Sequence, residues 1–177
     1  INHIIFDKTG TLTKGEPYIV EYQSDKNKLF LLKICASLER ESRHPIANAL
    51  VKEARKRSLS LLPIKNIQTE SGRGISGELE SIDGLINIGS VEWLISKGII
   101  IDSNSKKAIE TEENKTKTVI GVSIKKEFLG FILFEDLLRE DAIQTVKNLQ
   151  KNNLEINILS GDRKESVIEL AKKIGLK

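Results

Sequence analysis

Two short apolar runs, one near each end of the chain, stop abruptly at a polar loop. Ile4-Ile5-Phe6 ends at Asp7, and Ile156-Asn157-Ile158-Leu159 ends at Ser160-Gly161-Asp162. A short apolar run closed by a polar loop reads as a buried parallel strand. Around the second run the order is a helix (Leu138 to Leu149), the strand, the loop, and a helix (Glu165 to Ile174) that Gly175 is placed to stop. That order predicts an α/β layer with a parallel sheet. Both ends therefore read as one domain split in sequence, residues 1–14 and 135–177, with residues 15–134 inserted between its pieces.

The inserted stretch has a different character. Lys14-Gly15-Glu16-Pro17 is a breaker cluster, and Tyr18 to Tyr22 is a short strand. Ser24 or Asp25 is placed to cap a helix to Leu38, with Leu31, Ile34, Cys35 and Leu38 on its apolar stripe. Cys35 on that stripe reads as a buried structural thiol. Pro45, favoured in a first turn, starts a second helix to Arg57. Residues 64–88 alternate in short segments rich in glycine, which suits strands with tight turns. Ser90 is placed to cap a short helix through Ile95. Residues 104–116 are polar, a helix or mobile loop, and 118–124 with 127–134 read as a hairpin. The insertion is thus α+β, built on an antiparallel sheet.

Composition narrows the class of partner. The 177 residues are 39% hydrophobic and 30% charged with both signs interspersed, which excludes a disordered chain. A net charge of +3 is too mild to imply nucleic acid. The densest basic cluster, Lys52, Arg55, Lys56 and Arg57, falls at a helix end, where cations offset the dipole. The longest strongly apolar stretch, Phe128 to Phe134, is far short of the about 20 residues of a membrane span, and no signal peptide is visible. One cysteine excludes an internal disulfide and a cysteine-rich zinc site. There is no methionine and the first residue is Ile1, as expected of a processed chain or a piece of a larger one.

The chemistry concentrates at the strand ends. In open α/β sheets the ligand lies off the carboxyl ends of the strands. Asp7 sits at such an end, in the run Asp7-Lys8-Thr9-Gly10-Thr11-Leu12-Thr13. Its carboxylate is placed to attack phosphorus and form an acyl phosphate. Gly10 allows close backbone approach, and Thr9 and Thr11 offer hydroxyls to an anion. An isolated strand-end Asp would more simply cap a turn; the seven-residue string favours the chemical reading.

That string resembles the phosphorylation motif of P-type ATPases, ion pumps that pass through an aspartyl-phosphate on a haloacid-dehalogenase-like core. Ser160-Gly161-Asp162 resembles the family's TGD motif with Ser for Thr, and Asp136 to Arg139 its Asp-x-x-Arg hinge. Glu39, His44-Pro45 and Gly72-x-Gly74-x-x-Gly77 resemble the nucleotide-domain signature of the heavy-metal transporting (CPx-type) members, so the resemblance covers nearly the whole chain. It implies an incomplete, Rossmann-like phosphorylation domain carrying a nucleotide-binding insertion. It also implies roles. Asp7 accepts the γ-phosphate of ATP, Asp7 and Thr9 hold Mg2+, and Lys8 lies near the phosphates. Thr11, Ser160, Gly161 and Asp162 complete the catalytic loop. Glu39 and His44 hold the adenine end, while Gly72, Gly74, Gly77 and Gly89 let ATP approach the backbone.

Some positions depart from the pattern. Ser42-Arg43-His44-Pro45 has Arg where the family has Glu, Ser90 stands where it often has Asn, and Arg163, in place of Asn, is given no catalytic role. His3 has no motif context and reads as structural. Thr9 stands where soluble phosphatases of the superfamily place a second Asp for acid–base work. Its absence suits a phosphoenzyme that hydrolyses slowly. The family's later lysine and GDGxND motif, its actuator domain and its membrane helices are not in this sequence. The expected whole is a heavy-metal pump, copper by preference, with this chain as its cytoplasmic, monomeric catalytic piece, and the piece is expected to bind ATP but to phosphorylate Asp7 poorly. Two alternatives stand beside this: a soluble phosphatase with a cap insertion, and an ATP-binding module without catalysis.

Overall fold

The computed structural model describes residues 2–80, 82–111, 116–161 and 164–176. In chain order the elements are β1 (His3–Asp7), β2 (Thr13–Gln23), α1 (Lys28–Leu38), α2 (Pro45–Lys56), β3 (Ile64–Glu70), β4 (Gly74–Leu79), β5 (Ile82–Gly89), α3 (Val91–Ser96), α4 (Ser103–Ile109), β6 (Thr118–Ile124), β7 (Glu127–Leu138), α5 (Ala142–Lys151), β8 (Glu155–Leu159) and α6 (Lys164–Ile174). They build two sheets. β1 and β8 pair in parallel, and the other six strands form an antiparallel sheet in the order β2-β7-β6-β5-β4-β3. The mixed α/β architecture expected from the two strand–loop junctions is present. Among the described residues no helix is long and apolar enough to cross a membrane.

The parallel pair is covered on one face. Phe6, Ile156 and Ile158 pack with Leu12, Ala142, Val146, Leu170 and Ile174, which brings α5 and α6 onto the sheet. A fully buried aliphatic side chain such as Val146 contributes about 1.5–3 kcal/mol. On the other face Ile5 is 65% exposed and Leu159 69%. The six-stranded sheet is sandwiched. The largely buried α1 and the amphipathic α2 place Leu31, Ile34, Leu38 and Leu50 against Ile75, Ile86, Ile88 and Val122 on one side. α3 and α4 cover the other side with Trp93, Leu94 and Ile109. Cys35 is fully buried within α1, and burial pushes its thiol far above the ordinary range, as a structural thiol requires.

Several expected boundaries move for identifiable reasons. The breaker cluster Lys14–Pro17 does not interrupt β2: Gly15 takes φ 71° and the register against β7 shifts between Thr13 and Pro17, a bulge. Pro17 is tolerated because β2 is the edge strand. α1 is capped by Asn27, whose Oδ1 accepts from the N–H groups of Leu29 (2.9 Å) and Phe30 (3.0 Å). Ser24 is engaged elsewhere, donating to the Leu129 carbonyl at 2.7 Å. The helix expected from Leu138 starts instead at Ala142, because β7 continues to Leu138 and Arg139 N–H donates to the Leu12 carbonyl at 2.9 Å. A division after residue 14 and before residue 135 therefore cuts inside β2 and β7, which pair from Thr13 opposite Leu138 to Gln23 opposite Phe131.

Candidate functional site

Asp7 pairs in register with Leu159, so the loops after Asp7 and Leu159 leave side by side from the carboxyl ends of parallel strands. Asp7 itself is exposed at the strand end. The following turn, Lys8 to Leu12, is shaped by Gly10 at φ 76°, a left-handed conformation that favours glycine. Lys8 Nζ donates to Ser166 Oγ at 2.8 Å, tying this turn to the first turn of α6. Thr9 and Thr11 are exposed on the same turn, and Ser160 and Gly161 form the neighbouring loop. The expected site residue Asp162, and Arg163 after it, lie outside the described residues.

A cavity of about 570 Å³ opens between this end of the parallel pair and the six-stranded sheet. Its wall includes Gly161 and Ser166 at one side and Glu39, Ser42 and His44 at the other, with Gly72, Gly74, Gly89 and Ser90 between. The size falls in the range of small-molecule sites. Five of the six nucleotide-domain residues expected from the sequence thus share one pocket with Gly161. Gly77 stands apart. A side chain there would lie 2.5 Å from Leu38 Cδ1 and 2.7 Å from Ile64 Cγ2, so this glycine serves the packing of α1 on the sheet.

His44 and Glu39 meet across the gap between α1 and α2. His44 caps α2, its Nδ1 accepting from Ile46 N–H at 3.2 Å, with Pro45 in the first turn. With Nδ1 engaged as acceptor, Nε2 is the ring atom left to donate. Glu39 ends α1 half-buried; burial raises its carboxyl above the usual range, while the Ser42 hydroxyl and His44 act in the opposite direction.

The glycines have more than one reason. Gly72 takes φ 70° with open space around it, so its role is the turn between β3 and β4. Gly74, Gly89 and Gly121 pair across three adjacent strands. A Cβ at Gly74 would lie 2.5 Å from Trp93 Cζ3, one at Gly89 2.6 Å from Trp93 Cε3, and one at Gly121 2.6 Å from Leu94 Cδ1. Together they make a flat shelf on which α3 rests. Trp93 is locked there. Its Nε1–H donates to Glu70 Oε2 at 2.9 Å, and Lys97 both pairs with Glu70 and sits 5.2 Å from the indole centroid. Lys97 first and then Trp93 hold the Glu70 carboxyl below its usual range. Ser90 caps α3 by accepting from Trp93 N–H at 3.2 Å, and its own N–H donates to the Arg73 carbonyl at 3.0 Å.

Sequence reasoning missed Glu70, Ser166 and the buried Lys117 in the pocket wall, and Trp93 packed against Gly74 and Gly89. The only signal was the lone tryptophan four residues after Gly89.

A model of the haloacid dehalogenase-like hydrolase family matches residues 1–177. The chain is 31% identical over 181 residues to a probable cation-transporting ATPase of Haemophilus influenzae, covering 100% of this chain and 24% of that protein. It is 32% identical over 178 residues to a copper-transporting ATPase of Helicobacter felis, covering 99% of this chain and 22% of the other. The catalytic domain of the CPx-ATPase CopB-B, studied for conformational changes upon nucleotide binding, superposes with a TM-score of 0.74 at 30% identity, covering 100% of this chain and 59% of that one. The chain therefore spans about a quarter of the length of the curated relatives it matches.

Proposed function

This chain belongs to the haloacid dehalogenase-like hydrolases, and from that membership we propose that it is the cytosolic catalytic unit of a heavy-metal P-type ATPase. Residues 1–14 and 135–177 form its phosphorylation domain and residues 15–134 its nucleotide-binding domain. The observation that carries this reading is the placement of Asp7 beside the Ser160–Gly161 loop, with a cavity running from Gly161 and Ser166 to Glu39 and His44.

In this reading ATP lies along the cavity. Glu39 and His44 take the adenine end, the first as acceptor and the second as donor through Nε2. The polyphosphate runs past Gly72 and Gly74 toward Gly161. The Asp7 carboxylate forms a bond to the γ-phosphorus as the bond to the bridging oxygen breaks, and ADP leaves. Lys8, Thr11 and Ser160, with backbone N–H groups of both loops, receive the transferred phosphoryl oxygens. Asp7 and Thr9 supply oxygen donors of the kind Mg2+ takes. Both side chains are exposed on the same turn, open to an ion that also contacts the phosphates. Mg2+ bound there offsets the charge between carboxylate and phosphate.

Thr9 gives the phosphoenzyme its lifetime, since no second carboxylate sits two residues after Asp7 to activate water. The uncovered face of β1 and β8 is consistent with a unit that docks on the rest of a larger protein, since parallel sheets are normally covered on both faces. The partners we propose are the actuator domain and membrane helices, with copper as cargo, the ion named for the Helicobacter felis relative.

The phosphatase alternative makes the opposite forecast for small substrates. With p-nitrophenyl phosphate and Mg2+, phosphate release by the 177-residue chain is expected to stay at the no-protein level. Efficient multiple turnover contradicts the pump reading and favours a phosphatase.

A further inference from the structure

The Asp7 turn is held from below by a side chain that the phosphorylation chemistry does not use. Thr13, the last residue of the motif, is 2% exposed. Its Oγ1 accepts from Gly10 N–H at 3.2 Å and donates to Asp136 Oδ2 at 2.6 Å. The same hydroxyl lies 3.1 Å from the Lys8 carbonyl. Asp136 is fully engaged in turn. Its Oδ2 also accepts from Gly15 N–H and its Oδ1 from Glu16 N–H, each at 3.2 Å. A continuous chain of hydrogen bonds therefore runs from β7, through the bulge of β2, to Gly10. Gly10 is the left-handed residue that turns the backbone after Asp7, Lys8 and Thr9, and it sets where the Asp7 loop points.

We propose that Thr13 and Asp136 are positioning residues that make the geometry of the phosphoacceptor loop depend on the register of β2 against β7. Those two strands carry the six-stranded sheet, and they meet with register shifts between Thr13 and Pro17. A displacement of the sheet moves the backbone N–H groups that the Asp136 carboxylate holds, and Thr13 passes that movement to Gly10. A charged acceptor makes these bonds stronger than neutral ones. A half-buried carboxylate left without its partners is costly, so the link is kept or broken as a unit. This assignment rests on Asp7 being the phosphoacceptor.

The test compares Thr13→Val and Thr13→Ser in the full-length protein that carries this chain. The readouts are the rate of labelled acyl-phosphate formation from Mg-ATP and the affinity for ATP. Thr13→Val, which removes the hydroxyl, is expected to slow phosphorylation at least about tenfold with ATP affinity within about twofold. Thr13→Ser, which keeps the hydroxyl, is expected to restore most of the rate. A wild-type rate for Thr13→Val, equal slowing in both variants, or a matching loss of ATP affinity overturns the proposal. Where Thr13→Val does not fold, Asp136→Asn carries the same expectation, and a wild-type rate for it is equally decisive.

A second readout separates this proposal from the reading it rests on. In the 177-residue chain, Thr13→Val should accelerate hydrogen exchange at the amides of Gly10, Gly15 and Glu16, while Thr13→Ser should not. Unchanged protection in Thr13→Val overturns the link whatever the activity. Failure of the unmodified full-length protein to label Asp7 refutes the phosphoacceptor role instead.

Discussion

Replacing Asp7 by Asn is expected to abolish the hydroxylamine-labile phosphoenzyme in the full-length protein while leaving ATP binding intact. The amide of Asn is the same size as the carboxylate but is not a nucleophile. Loss of a nucleophile of this kind costs roughly 10⁴-fold or more in rate. The fold should not notice the change, because Asp7 is exposed and its place in β1 is set by backbone pairing with Leu159. ATP affinity is expected to stay level or tighten slightly, since one negative charge is removed from the approach of the polyphosphate. The readout is acid-quenched label from γ-labelled ATP, with thermal unfolding as the control for folding. Label that survives the substitution places the phosphoacceptor elsewhere.

The second large effect concerns stability. Gly89→Val is expected to destabilise the chain by about 3 kcal/mol, roughly 10 °C in Tm. A Cβ at Gly89 would lie 2.6 Å from Trp93 Cε3 and 2.8 Å from the Gly74 Cα. The second of these is backbone in the neighbouring strand, which cannot swing away as a side chain can. The shelf would open, α3 would lift, and the bonds of Glu70 to Trp93 and Lys97 would be strained together. Gly72→Ala is the contrast. Nothing lies within 4 Å of the added Cβ, so its cost is the left-handed φ alone, about 1–2 kcal/mol. Trp93 is the single tryptophan, so its emission reports the shelf directly. A red shift is expected in Gly89→Val and not in Gly72→Ala. Equal melting temperatures for the two variants would mean that packing against Trp93 is not why Gly89 is glycine.

The parts of this molecule visible in the sequence are those set by local order. A strand that ends at an acid, and another that ends at Ser160-Gly161, announce themselves through an apolar run and a polar stop. The start of α2 is written in Pro45. The reason for the glycines was only partly legible. Close approach to a ligand explains why a residue lacks a side chain, but at Gly74 and Gly89 the vacated space is filled by Trp93, a contact that exists only once α3 has folded back onto the sheet. The same limit applies to Asn27. Ser24 has the chemistry of a cap, yet its hydroxyl is drawn to the carbonyl of Leu129, a partner far away in sequence. The continuity of β2 and β7 was hidden for a related reason. Gly15 and Pro17 are breakers in isolation, and only an edge position with a bulge lets a strand run through them. Ser166 and Thr13 meet partners 158 and 123 residues away, where sequence spacing carries no signal.

We propose that nucleotide is held by the six-stranded sheet and consumed at Asp7, and calorimetric titration of the 177-residue chain with a nonhydrolysable ATP analogue separates the two roles. Wild type, Asp7→Asn and His44→Ala are compared, each first shown by thermal unfolding to be folded. Asp7→Asn is expected to bind at least as tightly as wild type, and His44→Ala about tenfold more weakly, a loss of about 1.4 kcal/mol. The reverse order, with binding lost in Asp7→Asn and kept in His44→Ala, would place the nucleotide on the Asp7 loop and not on the six-stranded sheet.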